Sequence, residues 1–373
     1  MAFALYSTGL GAGPLSTDES AILQTALAID RQPFRLFFQV DGERWLQPIP
    51  VYFTALAGFV APADLAARYA TAAVGTLDVA LMFVLGRRLF SQWLAGFGAA
   101  LLLLATPAHF VHARLGTDAI YVVPFVLIWM ISMLGHVRDG RASSASAAAF
   151  TLGVGVYTQP AAPLTMAFLL VVTLAVMWAS GRGTFPNVLL PISAFLLPLA
   201  GAVAWFAAHP QTYPDTFGRW FIHAAHLRFP LDGLRAFVNW TTLGTRVSYY
   251  WGFFDPSWLF VEGPADSDPA LQSRAPFLWV TLPLLVAGVA WSLKTVPVGV
   301  ATLLLGGLAV SPLAASTLGQ PHAIASAMAA VPCVVVLGMG GLVSGLYHHS
   351  LVWRSLSWLA ITAGLIELGR LHL

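Results

Sequence analysis

The chain has 373 residues, of which 58% are hydrophobic and 9% charged, with a formal net charge of +2. A soluble globular protein carries about 25% charged residues, so this composition excludes a soluble fold for want of polar surface. The scattered basic residues exclude a nucleic-acid partner, and one cysteine, Cys333 in an apolar run, excludes an intramolecular disulfide and a cysteine-based zinc cluster.

The first fifteen residues lack a basic n-region and are broken by Gly9, Gly11 and Gly13. They make a poor signal peptide and are too short to span a bilayer. Either a first membrane helix is missing, or the chain begins with a half-helix that borrows cover from its neighbours. Further along, ten stretches approach the roughly 20 apolar residues that a helix needs to cross the hydrocarbon core. They lie near 69–86, 93–110, 119–137, 145–158, 163–180, 186–207, 276–293, 296–313, 322–343 and 351–368. The fourth is short and joins the fifth across Gln159-Pro160, which reads as a tight turn at membrane depth. The fold class is therefore all-α and polytopic, with about ten spans and outer-face loops.

We read one membrane domain in four parts. A first outer loop with juxtamembrane helices covers 1–68, and N-terminal membrane helices cover 69–207. A long outer loop covers 208–275, and C-terminal membrane helices cover 276–373. Short-loop basic residues set orientation. If all ten stretches cross, Arg87, Arg88, Arg138, Arg141, Arg182, Lys294 and Arg354 share one side, which the rule makes cytoplasmic. The long loop carries Trp220, Trp240, Tyr249, Tyr250, Trp251 and Trp258, residue types of the membrane interface. Leu231, Leu234 and Val238 recur at helical spacing, as in a helix lying on the outer leaflet. Arg219, Arg228, Arg235, Arg246 and Arg274 read as interface anchors or contacts to anionic headgroups. His223 and His226 share a helix face without a third ligand that would suggest zinc.

Three outer-side polar clusters remain. Ser16-Thr17-Asp18-Glu19 ahead of an apolar run is a capping-box pattern. The same geometry holds a carboxylate rigidly at the membrane surface, as a general base requires. His109, His112, Arg114 and Asp118 form the second cluster. Thr117 or Asp118 suits a helix cap, the histidines read as interfacial, and Arg114 suits either an ion pair with Asp118 or a phosphate. The third is Gln320-Pro321-His322 before a small-residue helix, a place where a phosphate is physically reasonable. Asp78 stands apart at mid-span. It suggests either a functional group or an interhelical hydrogen bond to a neighbouring Ser or Thr.

The order of these features resembles a known family. An Asp18-Glu19 pair opens the chain, followed by Trp45-x-Gln47-Pro48-x-Pro50-x-Tyr52. Arg68 then leads a span ending Leu85-Gly86-Arg87-Arg88-Leu89-Phe90. Ala105-Thr106-Pro107 runs on to Ala113-Arg114-x-x-x-Asp118, and Phe254-Asp255-Pro256-Ser257-Trp258-Leu259-Phe260 comes later, with His322 before an Ala-rich helix. This resembles the GT-C membrane glycosyltransferases of the dolichyl-phosphate-mannose protein mannosyltransferase and aminoarabinose transferase type.

The resemblance implies transfer of a sugar from a polyprenyl-phosphate donor to a protein, lipid or glycan acceptor at the extracytoplasmic face of a bacterial inner membrane. It implies Asp18, with Glu19 beside it, as the general base. Asp118 would partner substrate or, together with Asp18, a divalent cation. Arg114 and His322, with Arg68 and Gln320, would contact the carrier phosphate. No other cofactor is implied. Relative to the family the chain is short, lacks a clear first membrane helix and has no soluble C-terminal domain. A GT-C-fold subunit acting structurally among other membrane subunits is the alternative reading. A secondary transporter, suggested by Asp78 alone, is the third.

Overall fold

The computed structural model describes residues 1–11, 13–29, 35–40, 44–209, 240–262, 275–319, 322–347 and 350–371. The surface helix expected around 231–238, the arginines at 219, 228, 235 and 274, His223, His226 and Gln320 lie outside them.

The described chain is helical apart from a two-stranded antiparallel hairpin, Phe38–Val40 with Arg44–Leu46. Short helices come first: α1 (Ala2–Ser7), α2 (Thr17–Leu27) and α3 (Pro48–Ala57). Then follow α4 (Ala66–Phe90), α5 (Trp93–Ala105), α6 (Pro107–His112), α7 (Val122–Asp139), α8 (Ala142–Gly155), α9 (Ala162–Ala179) and α10 (Phe185–Ala208). The rest comprises α11 (Trp240–Gly252), α12 (Pro256–Phe260), α13 (Thr281–Thr295), α14 (Val298–Val310), α15 (Leu313–Leu318), α16 (Ile324–Leu346) and α17 (Leu351–Leu371).

All ten expected stretches are helical, but six helices among the described residues are long and apolar enough to cross a membrane: Ala63–Phe90, Ala119–Asp139, Ala162–Ala179, Asn187–Ala208, Val298–Ser316 and Ile324–Leu346. This makes the chain an integral membrane protein, with six of the ten expected stretches meeting that length and apolarity among the described residues. Length sets most of the others apart. Helices α5, α8 and α13 have 13, 14 and 15 residues, which at 1.5 Å per residue rise about 20 to 23 Å against a core of about 30 Å. Helix α17 is longer but carries Arg354, Glu367 and Arg370. The short helix α1 packs on α4.

Helix α16 is the centre of the bundle. It is apolar on every side and touches α5, α6, α7, α13 and α14, so its run from Ala325 to Gly341 is buried. That all-round burial is what an all-round apolar helix demands. Cys333 is buried within it, as expected. Glycines let α13 and α16 approach closely. A Cβ on Gly288 would strike the backbone carbonyl of Leu337, and one on Gly341 that of Leu284. Small residues at such contacts are the usual way membrane helices gain packing. By contrast, α10 is mostly exposed and lies at the rim of the bundle.

The arginine-bearing ends gather on one side. Arg182 reaches the carbonyls of His136 and Val137, Arg138 reaches Leu89, and Phe90 packs on Trp291. At the other end, α1, the start of α2, Arg68 and residues 106–118 come together.

Candidate functional site

The capping box forms as the sequence pattern demands. The Glu19 amide donates to Ser16 Oγ at 3.2 Å, and the Ser16 amide donates to Glu19 Oε2 at 2.8 Å. The structure adds two partners from distant segments. Arg68 donates from Nε to Oε1 at 2.8 Å and from Nη2 to Oε2 at 3.1 Å, and the Gly116 amide donates to Oε1 at 2.8 Å. Burial pushes the Glu19 carboxyl up, but Arg68 and the Ser16 and Gly116 amides outweigh it and hold the group below its usual range. Glu19 is thus an anion with four donors on its two oxygens.

Arg68 is spent in the same way. Besides Glu19 it donates to the carbonyls of Leu10, Gly13 and Pro14. With Glu19 these account for all five of its N–H groups, leaving none for a substrate phosphate. It acts as the peg on which residues 10–19 hang.

Around this peg lies a cavity of about 680 Å³, lined among others by Leu10, Ser16, Thr17, Glu19, Arg68 and Arg114. Arg114 donates to the carbonyls of Leu5 at 2.8 Å and Thr8 at 2.7 Å, and lies 5.5 Å from the Phe110 ring centre. Burial, with the nearby charge of Arg68, lowers its pKa. It brings a cation to the cavity wall.

The structure therefore unites Glu19, Arg68 and Arg114 at one cavity. Asp18 is exposed on the first turn of α2, between the cavity residues Thr17 and Glu19, and does not itself line the wall. Asp118 precedes the turn Ala119–Tyr121, half-buried; it makes no side-chain cap bond there, contrary to the capping expectation. His322 is exposed and stacks on Trp258, ring centres 4.9 Å apart at 11°. Asp255 caps the same short segment, accepting from the Ser257 amide at 2.9 Å and the Ser257 hydroxyl at 2.8 Å. The 254–260 motif and His322, read separately in the sequence, meet here. Gln320 lies outside the described residues. Among the described residues no three His, Cys, Asp or Glu side chains gather as a metal would need, so Asp18 and Asp118 find no third ligand there.

Two expectations are corrected by packing. His109 and His112 are buried rather than interfacial. Among the described residues Asp78 bonds no Ser or Thr; its Oδ2 lies 3.2 Å from His109 Nε2, and His109 Nδ1 lies 3.1 Å from the Tyr6 hydroxyl. In one consistent assignment, Tyr6 donates to the neutral ring and the ring donates to Asp78. This row ties α1, α6 and α4 together. The Gly116 amide and the Tyr6 hydroxyl were not foreseen, because nothing local in sequence marks either.

Comparison with solved structures places the architecture. The crystal structure of ArnT from Cupriavidus metallidurans bound to undecaprenyl phosphate matches over 96% of this chain at TM-score 0.60 and 16% identity. The archaeal oligosaccharyltransferase AglB from Archaeoglobus fulgidus, in complex with an inhibitory peptide and a dolichol-phosphate, matches over 95% at TM-score 0.51 and 14% identity. The chain has the GT-C fold. It spans 61% of the ArnT chain and 51% of the AglB chain. No family model and no curated protein sequence matches it. Within the GT-C fold, the Glu19–Arg68–Gly116 junction and Arg114 lie at the end opposite the arginine-bearing loops.

Proposed function

We propose that this chain is a membrane glycosyltransferase that moves a sugar from a polyprenyl-phosphate carrier to an acceptor on the extracytoplasmic face of a bacterial inner membrane. The observation that carries the reading is the cavity in which Arg114 faces the Glu19–Arg68 junction. It belongs to a fold seen elsewhere with undecaprenyl phosphate and dolichol-phosphate.

In this reaction the acceptor hydroxyl loses its proton to Asp18, and its oxygen forms a bond to the anomeric carbon of the sugar. The bond from that carbon to the carrier phosphate breaks, its electron pair leaves with the phosphate, and the configuration inverts. Asp18 sits on a helix turn held by the capping box and by Arg68, so the base is presented by a rigid frame. Arg114 stabilises charge gathering on the departing phosphate, and His322 on its Trp258 platform is a second donor to it. Asp118 holds sugar or acceptor hydroxyls. Glu19 and Arg68, saturated by one another and by backbone groups, position these residues.

The test uses purified protein with a panel of radiolabelled polyprenyl-phosphate sugars, following release of lipid phosphate. Asp18→Asn is expected to lower release by roughly 10²- to 10⁴-fold while the protein stays monodisperse. Wild-type turnover in that variant would remove Asp18 from the base role. Absence of release from every donor in the presence of diverse acceptors would count against the enzyme reading itself.

A further inference from the structure

Helix α4 carries Arg68 near one end and Arg88 near the other. Twenty residues of helix rise about 30 Å, the thickness of a hydrocarbon core. Arg88 therefore stands one bilayer away from the candidate site, and a second cavity of about 570 Å³ opens there. Three segments converge on it: Arg88 from α4, Arg138 and Asp139 from the end of α7, and Arg141, Ser143 and Ser144 from the start of α8.

These guanidiniums are not consumed by the fold. Among the described residues Arg88 makes no hydrogen bond or ion pair. Arg138 has a single long contact, 3.5 Å to the Leu89 carbonyl. Arg141 lies 4.0 Å from Asp139 with both side chains exposed, a pair of small worth in water. The carbonyls at the end of α7, which would otherwise recruit an arginine, are already taken by Arg182. Gly140 closes that helix at φ 74°. Three cations thus face one carboxylate around a shared space. The first turn of α8 adds serine hydroxyls and has no side-chain cap.

We propose that this cavity binds a phosphate group at the membrane face opposite the candidate active site, carried by an anionic lipid headgroup or free in solution. Guanidinium forks match phosphate oxygens in geometry and charge. Ile131 and Leu134 on the same wall offer apolar surface beside the phosphate position. Topology alone accounts for basic residues at this end, but Arg87, Lys294 and Arg354 serve that purpose without lining the cavity. Convergence of three arginines from separate helices on one cavity is a further fact, and an anion satisfies it.

The test uses the full chain purified in mild detergent. Native mass spectrometry would follow retention of phosphatidylglycerol against phosphatidylcholine, and thermal unfolding would follow inorganic phosphate against chloride at equal ionic strength. Retention of phosphatidylglycerol is expected to exceed that of phosphatidylcholine by about tenfold, and the triple variant R88Q/R138Q/R141Q is expected to lose that preference. Stabilisation by inorganic phosphate without lipid preference, lost in the same variant, would identify free phosphate as the ligand. A control, R87Q/K294Q/R354Q, removes equal charge outside the cavity and is expected to behave as wild type. Should the triple variant fold poorly, Arg88→Gln alone is expected to weaken retention about threefold. Unchanged binding in the cavity variants, or equal loss in the control, overturns the proposal.

Discussion

Glu19 and Arg68 stand 49 residues apart and meet as a buried fork, Nε to Oε1 at 2.8 Å, with side chains 1% and 7% exposed respectively. Breaking a buried pair by neutralising one partner strands the other charge, at about 3–5 kcal/mol. Glu19→Gln is therefore expected to lower the thermal midpoint sharply in detergent. The pair also sets an acid limit. Because the folded carboxyl titrates below its ordinary value near 4.5, its stabilisation is present above that pH and fades as pH falls through the folded value. A plot of midpoint against pH should fall below pH 4.5 in wild type and flatten in Glu19→Gln. Equal slopes would contradict this account.

Arg114 offers a different signature. In the proposed reaction it donates a charge-assisted bond to the leaving phosphate, of a kind worth about 1.5–3 kcal/mol, and on that proposal Arg114→Gln should lower kcat/KM for carrier-phosphate release roughly ten- to a hundredfold. Arg114→Lys keeps the charge and loses the fork, and an intermediate value is expected. Identical behaviour of the Gln and Lys variants would show that charge is irrelevant at this wall.

The row Tyr6–His109–Asp78 predicts an order of stabilities. Tyr6→Phe removes one hydrogen bond, worth about 1 kcal/mol, whereas His109→Leu strands both the hydroxyl and the carboxyl, at about 1–3 kcal/mol each. Thermal unfolding should rank wild type above Tyr6→Phe above His109→Leu. The reverse order would show that the row does not tie α1 to the bundle.

His112 predicts a second pH dependence. It is buried beside Thr117, and burial pushes its pKa down to about 4. The unfolded ring takes a proton near pH 6.5, so stability is full above that value and declines between about 6.5 and 4 as the unfolded state is favoured. Substituting His112→Gln should make the fall of the midpoint in that interval shallower than in wild type, as read by differential scanning fluorimetry. A slope confined to higher pH would rule the assignment out.

Close packing of α13 on α16 can be tested by volume alone. Gly341→Ala and Gly288→Ala each drive a methyl into a backbone carbonyl, and overpacking of this kind costs about 1–3 kcal/mol or more. Gly11→Ala, where the added methyl meets nothing within 4 Å, should leave the thermal midpoint unchanged. Equal effects at Gly11 and Gly341 would mean that the helices do not meet closely.

Composition alone determined that this protein lives in a membrane, because 9% charge cannot cover a soluble surface. Apolar runs located the helices, and the Ser16–Glu19 cap was legible since its partners lie three residues apart. How many helices are long enough to cross was not legible, because apolar runs blur breaks such as the one at Thr106 between α5 and α6. Nor were the partners of the polar residues. Asp78 chose His109 over any Ser or Thr, Glu19 acquired Arg68 and Gly116, and Arg88 found Arg138 and Arg141 around one cavity. Each of these meetings joins residues from separate segments of the chain. A polar group buried in an apolar interior must take the partner that packing brings within reach, and packing is a property of the whole bundle that no local stretch of chain encodes.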